Sequence, residues 1–216
     1  MREYFRHKWV TMVPWSRKQR ILDVGCGRGD LLRSMQYAGF KDLTGIDPFL
    51  PQEISENGFH LYRKTMEELE GKYDVIVSCH SLEHLSDQHS AMRSLKRLLA
   101  PNGYLAITIP MYNEYFLRKY GNAWCSWSIP HHFYLHSMES FQKLLSANNL
   151  QIEKHIQSTH ISYVYDSERY LAMLSDDPLV KKRFAETSMA EWKREMWRVI
   201  RAGNGDCGLF LIRHKN

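Results

Sequence analysis

Apolar residues follow two habits along this chain: short unbroken runs, and stripes spaced three or four residues apart. Unbroken runs stand at 20–24 (RILDV), 43–46, 73–78 (YDVIVS) and 104–110 (YLAITIP), with a weaker one at 59–62. Such runs read as strands, and those at 73–78 and 104–110 as central strands buried on both faces. Between them, 29–38 carries Leu31, Leu32, Met35 and Ala38 on one helical face, and 88–99 carries Met92, Leu95, Leu98 and Leu99. A short helix is expected at 65–70, and a turn at 100–103 (APNG) to stop the helix before it.

Strands alternating with helices predict an α/β, doubly wound, mostly parallel sheet with helices on both faces. In such sheets ligands sit beyond the carboxyl ends of the strands. The loops after Val24, Ile46, Ser78 and Ile109 are therefore expected to line the site. Past residue 110 the pattern loosens. The segment 111–130 is aromatic and irregular, and can serve as a core layer or as a cover over a ligand. A helix capped by Ser137 is expected over 137–148, a strand over 150–158, helices over 166–175 and 178–202, and a closing strand over 207–214. The whole of 1–216 reads as one domain, with its core at 20–110, 131–158 and 204–214, an aromatic insertion at 111–130 and a helical insertion at 160–203.

Composition narrows the class. Hydrophobic content of 44% and charged content of 25% suit a soluble globular protein, and no apolar run reaches the roughly 18 residues of a membrane span. The basic opening MREYFRHKWVTMVPWSRKQR lacks the apolar centre of a secretory signal. Cys26, Cys79, Cys125 and Cys207 are scattered, which fits a reducing cytoplasm and predicts neither a metal cage nor a disulfide framework. The net charge of +5 reads first as a solvated basic surface. A polyanion partner is the sharper reading, but the basic stretch 181–201 is interleaved with Glu186, Glu191 and Glu195.

The candidate chemistry starts in ILDVGCGRGDLL. Gly25, Gly27 and Gly29 let the chain turn sharply and let a ligand approach bare backbone ahead of a helix N-terminus. A dinucleotide fingerprint, G-x-G-x-x-G, would place its third glycine at position 30, which is Asp30. An acid there meets a pyrophosphate unfavourably, so a nicotinamide dehydrogenase is disfavoured. Asp23 instead leads the loop and suits a ligand with a positive charge or an amine. Asp47, closing the second strand in GIDP, lies where a carboxylate accepts both hydroxyls of a ribose. A ribose, an amino-acid head and no pyrophosphate describe S-adenosylmethionine.

The stretches LDVGCGRG, GIDP, YDVIVSCHSLEHLSD, LLAPNGYLAITIP and IPHHFYLHSMESFQKLLSANNLQIE together resemble class I S-adenosylmethionine-dependent methyltransferases. Within that superfamily the chain is similar to the bacterial small-molecule group that includes the ubiquinone-biosynthesis O-methyltransferases. The resemblance implies seven strands in order 3-2-1-4-5-7-6, the last antiparallel. It implies that Asp23, Gly25, Cys26, Gly27 and Gly29 hold the methionine moiety, that Asp47 holds the ribose, and that Pro48 or Phe49 flanks the adenine. Thr65 and Met66 occupy the place where the family often has an acid facing the adenine amine; a backbone group at Met66 or Glu67 can replace it. Cys79 and His80 pass close to the methyl-donating sulfur. No metal ligand is implied.

Methyl transfer needs the acceptor held in line with the donor, and a hydroxyl acceptor also needs a proton acceptor. Histidine near neutral pH is the usual choice. His132, His131 and His84 are the candidates, although EH and HHF also recur in the group as structural elements; His136, His155 and His160 read as surface or structural residues. The acceptor is expected to be a small molecule. An RNA or DNA methyltransferase is the alternative: the loop SCHSLEHL lacks the proline-rich motif of exocyclic-amine enzymes, and no PC pair exists for cytosine C5 chemistry, while ribose methylation stays open. A non-catalytic cofactor-binding scaffold is the third reading. The first strand starts near residue 20, so the usual N-terminal capping helix is expected to be short or missing. A cytoplasmic location is expected, and a homodimer is left open.

Overall fold

The computed structural model describes residues 11–215. The secretory-signal and capping-helix expectations fall largely on residues 1–10, outside the described residues. Fifteen regular elements follow in chain order: β1 (Arg20–Val24), α1 (Asp30–Tyr37), β2 (Asp42–Ile46), β3 (Ile54–Glu56), β4 (Phe59–Tyr62), β5 (Tyr73–Cys79), α2 (Gln88–Leu98), β6 (Leu99–Pro110), α3 (Glu114–Tyr120), α4 (Met138–Ala147), β7 (Leu150–Ser158), α5 (Ile161–Leu174), α6 (Pro178–Glu186), α7 (Met189–Arg201) and β8 (Cys207–His214).

One sheet runs in the order β3-β4-β2-β1-β5-β6-β8-β7. Strands β4, β2, β1, β5 and β6 pair in parallel, and β8 lies antiparallel between β6 and β7. The expected order 3-2-1-4-5-7-6 is kept, but the sheet has eight strands rather than seven. The extra strand, β3, pairs antiparallel with β4 at the edge. Gly58 makes that hairpin, at φ 73°, where an added Cβ would sit 1.9 Å from the Lys41 carbonyl oxygen.

The unbroken apolar runs are buried on both faces, with successive residues sent to opposite sides. Leu22, Ile76, Leu105 and Ile107 join the core under α2 and α4, with Met92, Leu95 and Phe141. Ile21, Val75, Val77 and Ala106 join the core under α1, with Leu32 and Met35. A third cluster belongs to the insertions: Phe116, Tyr120 and Trp124 pack with Val164, Trp192 and Val199. The aromatic segment is therefore largely a core layer. Fully burying Phe116 and Trp124 contributes roughly 2–3 kcal/mol each.

Five sequence expectations change. Residues 65–70 form turns, not a helix, because Arg97 takes the Met66 and Leu69 carbonyls that a helix would use. Residues 100–103 are not a free turn; they continue β6, with a register shift against β5 between Tyr73 and Val75. The segment 111–130 holds a helix, α3, whose Asn113 side chain caps the Phe116 N–H. Helix α5 starts at Ile161 rather than 166, capped by His160. The helix expected over 178–202 is two, divided where Ser188 and Glu191 form a reciprocal capping box.

Two buried acids fasten the insertions. Asp206 is fully buried and accepts from Trp124 Nε1 (2.8 Å), Ser126 Oγ (3.1 Å) and Thr159 Oγ1 (2.7 Å). Glu168, also buried, accepts from the Tyr120 hydroxyl and pairs with Lys119 and Arg183. Among the described residues no helix is long and apolar enough to cross a membrane.

Candidate functional site

The glycine loop leaves β1 and is tied to the end of β2: the Gly25 and Cys26 N–H groups both donate to the Ile46 carbonyl, at 2.9 and 3.1 Å. All three loop glycines have positive φ. Gly25 also needs its missing side chain, since a Cβ there would lie 2.1 Å from Ser81 Oγ, which donates to the Val24 carbonyl. Gly27 differs: nothing lies within 4 Å of where its Cβ would be. The loop is thus packed against the protein at Gly25 and open to a ligand at Gly27.

Two carboxylates stand by this opening. Asp47 Oδ2 accepts from the Gly27 N–H at 3.0 Å, and Oδ1 accepts from the Phe49 N–H at 2.8 Å. Each oxygen keeps a further lone pair for a ligand hydroxyl. Asp23 is only 4% exposed and makes no side-chain hydrogen bond to a described residue. Burial first, and then the charge of Asp47, push its carboxyl up to about 7. A buried acid in this state wants a cationic or N–H partner. That fits the amino group of S-adenosylmethionine, and Asp47 fits its ribose.

The other expected cofactor contacts divide. Pro48 is exposed and Phe49 is 90% exposed beside Asp47, a large apolar ring free to cover a flat ligand. Cys26 is buried, and burial pushes its thiol up to about 12. Thr65 is exposed, with its N–H bonded to Glu68 Oε2. Met66 turns its side chain into the main core, and its carbonyl is taken by Arg97. Cys79 ends β5, its thiol likewise pushed to about 12 by burial.

The loop after β5 and the segment after the aromatic insertion meet. His80 follows Cys79 at φ 54°, an uncommon value for a residue with a side chain. Its Nδ1 lies 3.3 Å from Glu83 Oε1 and 3.1 Å from the Tyr163 hydroxyl. Glu83 is 2% exposed, and its Oε2 has no partner among the described residues. His84 donates through Nδ1 to the His131 carbonyl at 2.9 Å, and His132 through Nδ1 to the Ser126 carbonyl at 2.8 Å. The two rings are 4.9 Å apart. His131 is exposed and enters through its carbonyl. Burial lowers the proton affinity of His132, keeping it neutral near pH 7. Glu83, His84 and His132 each offer a ligand atom within 4.8 Å of the others, a grouping the scattered cysteines did not suggest.

Tyr163 is the residue that sequence reasoning missed. It sits on the first turn of α5, in the helical insertion, and no local spacing marks it. Its carbonyl accepts from Cys125 Sγ, which joins it to the aromatic segment. A cleft of about 500 Å³ opens there, between Trp127, Ile129 and Tyr170. A cavity of about 690 Å³ is lined by Tyr112, Arg118, Gln157 and Asn204 and includes no residue of the glycine loop.

Comparison with known proteins places this geometry. A family profile described as a methyltransferase domain matches residues 2–155. A ubiquinone biosynthesis O-methyltransferase of Haemophilus ducreyi is 38% identical over 106 residues, covering 42% of this chain and 44% of that protein. The chain therefore spans less than half the length of this curated relative. A chain from the complex of the Haloferax volcanii Trm112 methyltransferase activator with a methyltransferase superposes with a TM-score of 0.68 at 16% identity, covering 99% of this chain and 89% of that one. An O-methyltransferase from a trans-AT PKS multienzyme of Brevibacillus brevis, in complex with S-adenosyl-L-homocysteine, gives 0.58 at 16% identity, covering 98% and 72%. At that identity the likeness is one of fold.

Proposed function

The chain belongs to the methyltransferase-domain family, with the fold of class I S-adenosylmethionine-dependent methyltransferases, and from that premise we propose that it moves a methyl group from S-adenosylmethionine to a hydroxyl of a small molecule. The observation that carries the reading is the pair of acids at the open turn: Asp23 buried without a hydrogen-bond partner among the described residues, and Asp47 fixed by two main-chain N–H groups. When bound, the cofactor supplies a methyl on a sulfonium, whose carbon–sulfur bond breaks with its electron pair going to sulfur as the acceptor oxygen bonds the carbon.

The protein's share is placement and proton removal. Asp23 receives the ligand's amino group, and the bare backbone of Gly25, Gly27 and Gly29, with Cys26, shapes the methionine end. Asp47 accepts from the ribose hydroxyls. Pro48 and Phe49 cover one adenine face, and the 65–66 turn borders its edge through main-chain groups. Cys79 and His80 stand nearest the sulfur. Holding two reactants in line removes much of the barrier of a bimolecular displacement. For the proton, His132, His131 and His84 are the sequence candidates. Of these, His132 combines a neutral ring, a fixed Nδ1–H and an Nε2 left free.

The chain is taken as one domain over 1–216, with both insertions serving the acceptor side. Its cysteines are free, in keeping with a reducing cytoplasm. A homodimer through Met173, Leu174 and Leu179, exposed on the insertion, belongs to the same proposal. The reading is tested by incubating the protein with methyl-labelled S-adenosylmethionine and a small-molecule extract of bacterial cells. A labelled neutral product that tolerates acid and base marks an ether; label confined to RNA carried in the extract would reject the small-molecule reading.

A further inference from the structure

We propose that Ser81 is a positioning residue that keys the donor loop to the segment bearing His132, with Gly25 bare to admit the Ser81 side chain; the inference deepens the methyl-transfer reading above and rests on it. Ser81 stands in the loop after β5, and its Oγ donates to the carbonyl of Val24, the last residue of β1, at 3.0 Å. A Cβ on Gly25 would lie 2.1 Å from that Oγ and 2.8 Å from the Ser81 Cβ. One hydroxymethyl group therefore fills the place of the missing side chain and bonds the residue before it.

The three loop glycines are not equivalent. At Gly27 nothing lies within 4 Å of the absent Cβ, and at Gly29 the absent Cβ faces a Leu61 methyl at 2.7 Å. Positive φ disfavours a side chain at all three alike. Contact with the loop after β5 is what sets Gly25 apart from the other two.

From Ser81 the contacts run on to the histidines. Its carbonyl accepts from the His84 N–H at 3.2 Å, closing the turn Leu82–His84. That turn offers the Glu83 carbonyl to the Phe133 N–H at 2.9 Å, and the His84 ring to the His131 carbonyl at 2.9 Å. His132, the proton acceptor of the proposed function, lies between those two partners in the chain. The end of β1 and the segment 131–133 are thus joined through one side chain and one short turn.

An in-line displacement is sensitive to the spacing of its reactants, and a misplacement of about 1 Å can cost on the order of 100-fold in rate. Cofactor binding rests instead on Asp23, Asp47 and the main chain of the glycine turn. The Ile46 carbonyl and the Asp47 carboxylate fix that turn without help from Ser81. Ser81 therefore acts on the transfer step more than on binding. No proton or electron pair passes through it.

Variants of the whole chain test this, read by calorimetric affinity for S-adenosylhomocysteine and by methyl labelling of the small-molecule extract. Ser81→Ala keeps the Cβ beside Gly25 and loses the bond to Val24. Its labelling at saturating S-adenosylmethionine is expected to fall about 10-fold, with S-adenosylhomocysteine affinity within about threefold of wild type. Gly25→Ala is expected to lose at least about 30-fold in that affinity, and Gly25→Ala combined with Ser81→Gly to recover about 10-fold of it, since the added methyl then has room. The strain of Ala at φ 74° is common to both and cancels. This second comparison needs no acceptor, and the first introduces no clash. Labelling by Ser81→Ala equal to wild type would overturn the proposal. So would an affinity loss matching the labelling loss, as a merely structural residue would give, or no recovery in the double variant. A wild type that binds no S-adenosylhomocysteine at all points instead to failure of the underlying reading.

Discussion

The main-chain N–H of Gly27 donates to the Asp47 carboxylate at 3.0 Å, across a sequence separation of 20 residues. This bond joins the turn after β1 to the end of β2, and it aims the carboxylate at the open side of the turn. Asp47 is thus the brace that shapes the loop, and in the proposed function it is also the ribose contact.

Replacing Asp47 by Ala removes the proposed ribose partner and the acceptor of the Gly27 and Phe49 N–H groups. The expected loss in S-adenosylhomocysteine binding is about 2–3 kcal/mol, from unpaired polar groups in a closing site. Thermal shift with graded ligand checks this; a ligand-induced shift equal to wild type would remove Asp47 from the site.

Asp23 predicts an inverted pH dependence for the ligand-free protein. Its carboxyl titrates at the ordinary 3.8 when unfolded and at about 7 when folded. Between those values the folded state binds more protons, so stability falls as pH rises, by up to about 4 kcal/mol. Asp23→Asn is expected to be more stable than wild type at pH 8 without ligand, and to bind S-adenosylhomocysteine more weakly. Urea melts at pH 5 and pH 8 read the first effect; a wild type equally stable at both would contradict it.

The thiols of Cys26 and Cys79 are pushed to about 12 by burial. At pH 7.5 the thiolate fraction is well under about one part in a thousand, so neither is a nucleophile. Mass spectrometry after brief iodoacetamide treatment of the native protein is expected to find both unmodified. Rapid alkylation of Cys79 would show a reactive thiol at the end of β5 and contradict this.

Asp206 holds three buried donors from two segments, Trp124 and Ser126 of the aromatic stretch and Thr159 after β7. Asp206→Ala is expected to cost roughly 3–5 kcal/mol and to lower the melting temperature by about 10 °C. Asp206→Asn, which keeps the volume and one acceptor, is expected to lose less. Calorimetric melts of the two variants decide this, and two unchanged melting temperatures would show that the insertions are fastened elsewhere.

What could be read from the chain, and what could not, follows the range of the forces involved. The five parallel strands, the glycine turn and Asp47 are legible because each is written in a few neighbouring residues. The 65–70 helix failed because Arg97, 31 residues on from Met66, claims its carbonyl. Strand β3 was invisible because Ile-Ser-Glu becomes a strand only by pairing with β4. The division at Ser188 was written locally, as Ser188 and Glu191, but the apolar stripe running on to Ile200 hid it. His84 and His132 were both named from sequence, while their 4.9 Å approach depends on the fold bringing the two segments together. Tyr163 needed the packing of α5, driven by Val164 on the buried face beside it, before it could reach His80.

The central claim is that the open turn beside Asp23 and Asp47 is built for a sulfonium nucleoside rather than a dinucleotide. Titration calorimetry of the wild-type chain with S-adenosylmethionine and, separately, with NAD tests it most directly. The account predicts one-to-one binding of the first and no measurable heat with the second. Binding of NAD, or silence with S-adenosylmethionine, would contradict it.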